Sequence, residues 1–201
     1  VNVMYTLTDT AGQTVDCDFE VVVTDDQLPR IFCRSLDAFD ATNDSCSILV
    51  TNNLAPAFSD NCGILSVTYT LSGALTGSGL NDATGLTFPV GTTNVTYIAT
   101  DVNGNVDSCI MPIVVVDNQF PTVDCPNDTT VIVPFGNTTV EVDNIDPLVN
   151  DNCGIASTTY TLDGGSVLNG NASGTTFDLG ATEVKYFVAD FQGNLDSCSF
   201  T

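Results

Sequence analysis

The sequence predicts an all-β protein built from tandem β-sandwich domains, and three observations carry that prediction. Apolar and polar residues alternate in short β-branched runs, at Ser47 to Val50, Val67 to Leu71, Val95 to Ala99 and Ile113 to Val116. That period of two is the mark of strands with one buried face. Glycine, asparagine, aspartate and proline stand between the runs, where each favours a turn for its own backbone reason. The whole order of landmarks then recurs at a spacing of about ninety residues, long enough for each copy to fold around its own core. Six or seven strands broken at roughly 8–12-residue intervals suit a sandwich.

The elements follow the chain in order. Val3-Met-Tyr5 through Asp9 and Gly12 to Cys17 forms the first copy of a strand–turn–strand segment. Val95-Thr-Tyr97 through Asp101 and Gly104 to Cys109 is the second, and Val184-Lys-Tyr186 through Asp190 and Gly193 to Cys198 the third. A glycine at the turn tolerates positive φ, so each segment reads as a hairpin. The three tyrosines fall in phase with the apolar face and are expected in the core. Residues 1–27 therefore read as the C-terminal strands of a preceding repeat, 28–117 as a complete sandwich, and 118–201 as a sandwich lacking its last strand. Asp25-Asp26-Gln-Leu-Pro29 and Asp117-Asn118-Gln-Phe-Pro121 link successive copies. These links are short, proline-limited and free of a Gly/Ser tether, so a stiff rod is expected.

Charge narrows the partners. The chain carries 25 acidic residues against three basic ones, Arg30, Arg34 and Lys185, for a formal net charge of −22. Such a chain repels phosphate backbones and anionic membranes, so nucleic acid is excluded as a partner. No apolar run approaches the roughly 20 residues of a membrane span. Oxygen-rich segments instead suit Ca²⁺. Asp25, Asp26, Asp117 and Asn118 sit where an ion would bridge two domains. Asp101, Asn103, Asn105 and Asp107 space oxygen ligands at alternate positions of one hairpin, although an ordinary turn explains that hairpin equally well. Asp60-Asn61 and Asp151-Asn152 read as side-chain-capped turns. The sequons at Asn43, Asn94, Asn127, Asn137 and Asn171 are candidate glycosylation sites.

The eight cysteines include no Cys-x-x-Cys pair, and histidine is absent. Zinc sites draw on those groups, so disulfides in an oxidising, extracellular setting are expected. Catalysis is not: there is no histidine, one lysine, no phosphate-binding glycine loop and no nucleophile elbow.

Pro121-Thr-Val-Asp-Cys125-Pro126, Pro147, Asp151-Asn-Cys153-Gly154, Phe177-Asp-Leu-Gly180, Tyr186, Asp190, Gly193-Asn194 and Cys198-Ser-Phe200 together resemble the hyalin repeat (HYR) domain. Pro29, Cys33, Pro56, Asp60-Asn-Cys62-Gly63, Phe88-Pro-Val-Gly91, Tyr97, Asp101, Gly104-Asn105 and Cys109 repeat the match. Each motif is weak alone, but their shared order in two copies is specific. Arg34 departs from the proline expected after Cys33, and Thr138 stands in the last copy where the first has Cys46. The resemblance implies immunoglobulin-like or fibronectin-III-like sandwiches used in extracellular adhesion, such as the tandem arrays of large surface adhesins and fibres.

In such a sandwich the first and last strands lie side by side, which implies the pairs Cys33–Cys109 and Cys125–Cys198. Cys46–Cys62 is the expected second pair of the complete repeat. It leaves Cys17 without a partner and Cys153 either a buried thiol or an interchain bridge. The function expected is a structural repeat of an extracellular filament or giant cell-surface adhesin: a stiff, disulfide-stabilised rod whose partners are neighbouring repeats and a homopolymer. The alternative is a ligand-binding adhesive module, in which Ser72 to Gly85 and Asp163 to Gly174 would meet a glycan or another cell surface. The absence of tryptophan favours the rod.

Overall fold

The computed structural model describes residues 1–42 and 45–201, and among them every regular element is a strand. The chain opens with a hairpin of β1 (Asn2–Thr8) and β2 (Thr14–Glu20). It pairs Tyr5 with Cys17 and leaves Tyr5, Leu7 and Phe19 exposed. Tyr5 thus departs from the core position expected of it: its ring stacks on Phe19 on the exposed face of the hairpin.

The next unit is a two-layer sandwich. One layer orders β4 (Phe39–Asp40), β11 (Val106–Val116), β10 (Gly91–Asp101), β7 (Ile64–Gly73) and β8 (Gly77–Leu80), with β4 parallel to β11. The other holds β3 (Arg30–Phe32) paired with β6 (Ala57–Ser59), and β5 (Ser47–Leu49) paired with β9 (Thr87–Pro89). Alternation in β10 and β11 buries Val95, Tyr97, Ala99, Met111, Ile113 and Val115 against Phe88, Leu54 and Val50. Pairing of β4 with the end of β11 lays Phe39 and Asp40 along the segment that leads out of the unit.

The second unit repeats the plan in shorter pieces. β16 (Leu168–Asn169), β15 (Ile155–Leu162), β18 (Val184–Asp190) and β19 (Leu195–Phe200) form one sheet. β12 (Thr122–Asp124) pairs with β14 (Leu148–Asn150), and β13 (Thr139–Val142) with β17 (Thr175–Asp178). Its core gathers Tyr160, Val184, Tyr186, Val188 and Phe200. A groove of about 430 Å³ lies beside Val131, Val140, Ile145 and Val184. No helix among the described residues is long and apolar enough to cross a membrane.

One tyrosine per unit ties the two layers together. Tyr97 is fully buried, and its hydroxyl donates to the Leu54 carbonyl at 2.8 Å while accepting the Ala83 N–H at 3.1 Å. Tyr186 does the same with the Ile145 carbonyl at 3.0 Å and the Ala172 N–H at 2.8 Å. Burial pushes both phenols above their ordinary pKa. Replacing the hydroxyl strands a buried carbonyl and a buried N–H together. Tyr97→Phe is therefore expected to destabilise the first unit by about 2–4 kcal/mol, read as a lower midpoint with unchanged slope in urea unfolding.

Candidate metal centres at the repeat junctions

The junctions are built from one local device. Asp101 Oδ1 accepts the N–H groups of Asn103 and Asn105, each at 2.8 Å, and so closes the β10–β11 turn. Asp190 holds Gln192 and Asn194 in the same way, and Asp9 holds Ala11 and Gln13. Gly104 and Gly193 both take φ of 91° inside these turns, a conformation that other residues rarely adopt. The second carboxylate oxygen of Asp101 accepts the Asn105 side-chain amide at 2.8 Å, and that of Asp190 accepts Asn194 at 2.7 Å. Burial raises the pKa of Asp101 and Asp190, but these donated hydrogen bonds outweigh it and hold both below the ordinary carboxylate value.

The same asparagines reach the linker. Asn105 Nδ2 donates to the Asp25 carbonyl at 3.2 Å, and Asn194 Nδ2 to the carbonyls of Asp117 and Gln119 at 3.2 and 3.0 Å. Each hairpin therefore grips the segment that leads into its own repeat. A third element closes the site: Asp60 Oδ1 accepts the N–H groups of Cys62 and Gly63, and Asp151 Oδ1 those of Cys153 and Gly154.

These contacts bring three carboxylates together twice. Asp25, Asp60 and Asp101 place an oxygen each within 4.8 Å of one another, and so do Asp117, Asp151 and Asp190. Several oxygens around them are buried without any hydrogen-bond donor: Asp60 Oδ2 at the first cluster, and Asp117 Oδ2, Asp151 Oδ2, Gln119 Oε1 and Asn152 Oδ1 at the second. Buried acceptors are normally satisfied, and one left bare is costly. An all-oxygen set short of donors fits a hard divalent cation such as Ca²⁺. Asp25 is held below its ordinary pKa by the neighbouring Cys62 thiol first, then by the Gln27 N–H and the amides of Asn61 and Asn103.

The arrangement redistributes the residues singled out in the sequence. Asp25, Asp117 and Asp101 enter the clusters. Asp26 is exposed and stays outside them. Asn118 instead donates to Asp40 Oδ1 at 2.7 Å, back toward the first repeat. Asn103 and Asn105 present amide donors to Asp25, so they position the linker. Asp107 points elsewhere, accepting the N–H groups of Ser108 and Ile31. The sequence favours turn capping over metal ligation for Asp60 and Asp151 and keeps only part of the alternating oxygen pattern at Asp190, so none of the three stands out as a ligand. Only folding shows that each cap uses one oxygen and leaves the other facing the linker. Of the sequons, Asn94, Asn127, Asn137 and Asn171 are exposed, and Asn43 lies outside the described residues. Ser72 to Gly85 folds into the β7–β8 hairpin, with Gly79 packed where a Cβ would strike the Tyr69 phenol.

Sulfur bridges reinforce the same junctions. Cys33 is bonded to Cys109 and Cys125 to Cys198, both with Cα atoms 5.7 Å apart, tying first strand to last. Cys46 is not bonded to Cys62 as expected. It is bonded to Cys153, across the junction and 107 residues away, with Cα atoms 4.6 Å apart. The turn at Asp151-Asn-Cys153 faces the first repeat, so Cys153 is neither a buried thiol nor an interchain bridge. Cys62 is left free and exposed, as is Cys17.

Comparison with known proteins adds the lineage. The HYR domain model matches residues 24–115 and again 116–201. The chain belongs to the HYR domain family. Its HYR repeats are 32% identical over 183 residues to Hyalin of Strongylocentrotus purpuratus, a match covering 86% of the chain. A second Hyalin, from Lytechinus variegatus, is 43% identical over 76 residues and 36% of the chain. In both cases the match spans 14% of the relative's length. Among solved structures, the HYR pair is similar to protocadherin gamma B2 extracellular cadherin domains 3–6, with TM-score 0.40 and 14% identity, covering 99% of this chain and 55% of that one. It is similar also to fibronectin(III)-like modules of Clostridium thermocellum CbhA, with TM-score 0.32 and 17% identity, covering 86% and 92%.

Peptide mapping without reductant is expected to recover Cys33–Cys109, Cys125–Cys198 and Cys46–Cys153, with alkylation confined to Cys17 and Cys62. Recovery of Cys46–Cys62 would contradict this structure. The pH dependence follows from Asp101 and Asp190, whose folded pKa values lie below 3.8, the ordinary value. Their contribution is complete above that value and is lost as pH falls through the lower folded values. Urea midpoints measured in chelator from about pH 5 downward should therefore fall, and less steeply in Asp101→Asn.

Proposed function

We propose that this chain is a spacer segment of an extracellular fibre or cell-surface adhesin, with Ca²⁺ at each junction fixing one repeat against the next. The observation that carries this reading is the recurrence, at both linkers, of one construction. A linker aspartate meets a turn aspartate and a hairpin aspartate, with buried oxygens that lack donors. A single cluster in one domain has many explanations. Two clusters at equivalent linkers point to a role in joining repeats.

Asp25 or Asp117 would hold the ion from the linker, Asp60 or Asp151 from the capped turn, and Asp101 or Asp190 from the hairpin. The ion supplies charge neutralisation, which lets three carboxylates share a small space. With the ion bound, the linker loses its freedom to swivel, and force applied along the chain passes through strands and junctions in series. The intrarepeat bridges limit how far each unit extends if a strand is pulled out. Neighbouring repeats are the partners this design serves. The disulfides suit an oxidising compartment outside the cell.

A cation that binds only the folded junction stabilises it by mass action, by about 2.7 kcal/mol for each site at a hundredfold excess over Kd. Calorimetric melts should shift upward in Ca²⁺ relative to chelator, and small-angle scattering should show a longer maximum dimension with less flexibility. Identical melting and scattering profiles in the two buffers would exclude the cation-stiffened rod. Retained binding to a glycan array would favour the adhesive alternative.

A further inference from the structure

We infer that the Cys46–Cys153 bridge sets the cation affinity of the junction it spans. The inference rests on the reading of the clusters as cation sites and extends it to their regulation.

The second junction is one continuous patch. Cys153 lies two residues beyond Asp151, and its N–H donates to Asp151 Oδ1 at 2.8 Å. Between them, Asn152 Nδ2 contacts the Thr42 carbonyl and Asp117 Oδ1, each at 3.3 Å. Thr42 and Cys46 belong to the same loop of the first repeat. The bridge therefore fixes that loop to the turn that supplies one carboxylate, and Asn152 couples both to the carboxylate of the linker. At the first junction Cys62 occupies the place of Cys153, with its N–H on Asp60 Oδ1 at 2.9 Å, but its thiol is free.

Asp117 is only 4% exposed, and its Oδ2 is buried without a donor. Asp151 Oδ2 and Asn152 Oδ1, in the turn that Cys153 anchors, are buried without donors as well. Without a cation, three carboxylates repel and drive the junction apart. A covalent link across the junction opposes that opening, so less ordering remains to be done when the ion arrives. Coupling of this kind is reciprocal: if the bridge tightens cation binding, the cation must protect the bridge to the same degree at equilibrium.

The test is calcium titration calorimetry on the 201-residue chain and on C46S/C153S. In the unmodified chain, Asp117→Asn should remove the site at the bridged junction and so identify it. In C46S/C153S that site should weaken about tenfold, within the range typical of coupled sites, while the site at Asp25 stays put. A second measurement does not depend on the variant. Dithiothreitol, which reduces a disulfide by two-electron thiol exchange, should open Cys46–Cys153 at lower concentration in chelator than in Ca²⁺, scored by alkylation against Cys33–Cys109 as internal reference. Two sites that bind calcium with affinities unmoved by C46S/C153S, or a bridge equally reducible with and without Ca²⁺, would overturn the coupling and leave the cation sites standing. Absence of binding in every form would overturn the cation reading itself.

Discussion

Three carboxylates held within 4.8 Å repel one another, and a chain with three basic side chains has little with which to neutralise them. The architecture of the junctions is a response to that constraint. Backbone N–H groups of tight turns and side-chain amides of asparagine take one oxygen of each turn aspartate and both oxygens of each hairpin aspartate. What they leave buried without a donor is Asp60 Oδ2 at the first junction and the Oδ2 atoms of Asp117 and Asp151 at the second. An oxygen set of this kind suits a hard positive charge.

The constraint connects packing to linkage. The hairpin that bears Asp101 or Asp190 continues directly from the strand that buries Tyr97 or Tyr186, so the carboxylate is anchored to the core of its repeat. Its asparagine partner then fixes the incoming linker. β11 buries Met111, Ile113 and Val115 and runs on into Asp117 within two residues. The core of one repeat, the linker and the oxygen cluster of the next thus form one nearly unbroken run of chain.

Much of this was legible in the sequence. Period-two alternation located β7, β10 and β11, because one buried face leaves a plain signature. The hairpin aspartates were visible as a repeated Asp-x-x-Gly, and the linker aspartates as a repeated Asp before Gln-x-Pro. What stayed hidden was their convergence, since Asp60 lies 35 residues from Asp25 and its capping role accounted for it fully. The bridge was misread for a related reason. Pairing within each repeat puts Cys46 on Cys62 and leaves Cys153 over, although Cys153 matches Cys62 and only Cys46 has no counterpart in the other repeat. Thr138 in place of a second Cys46 was the signal. A cysteine lacking a counterpart in the next repeat is freed from the in-repeat pattern, and bonding across the junction is the arrangement that uses it.

The end of β11 contributes to more than the linker. Ile113 and Val115 are buried in the core of the first repeat, and β4 pairs with the backbone of Val115 and Val116. These residues therefore belong to two structures at once. Their apolar side chains close the sandwich behind them, and their continuation carries Asp117 into the second cluster.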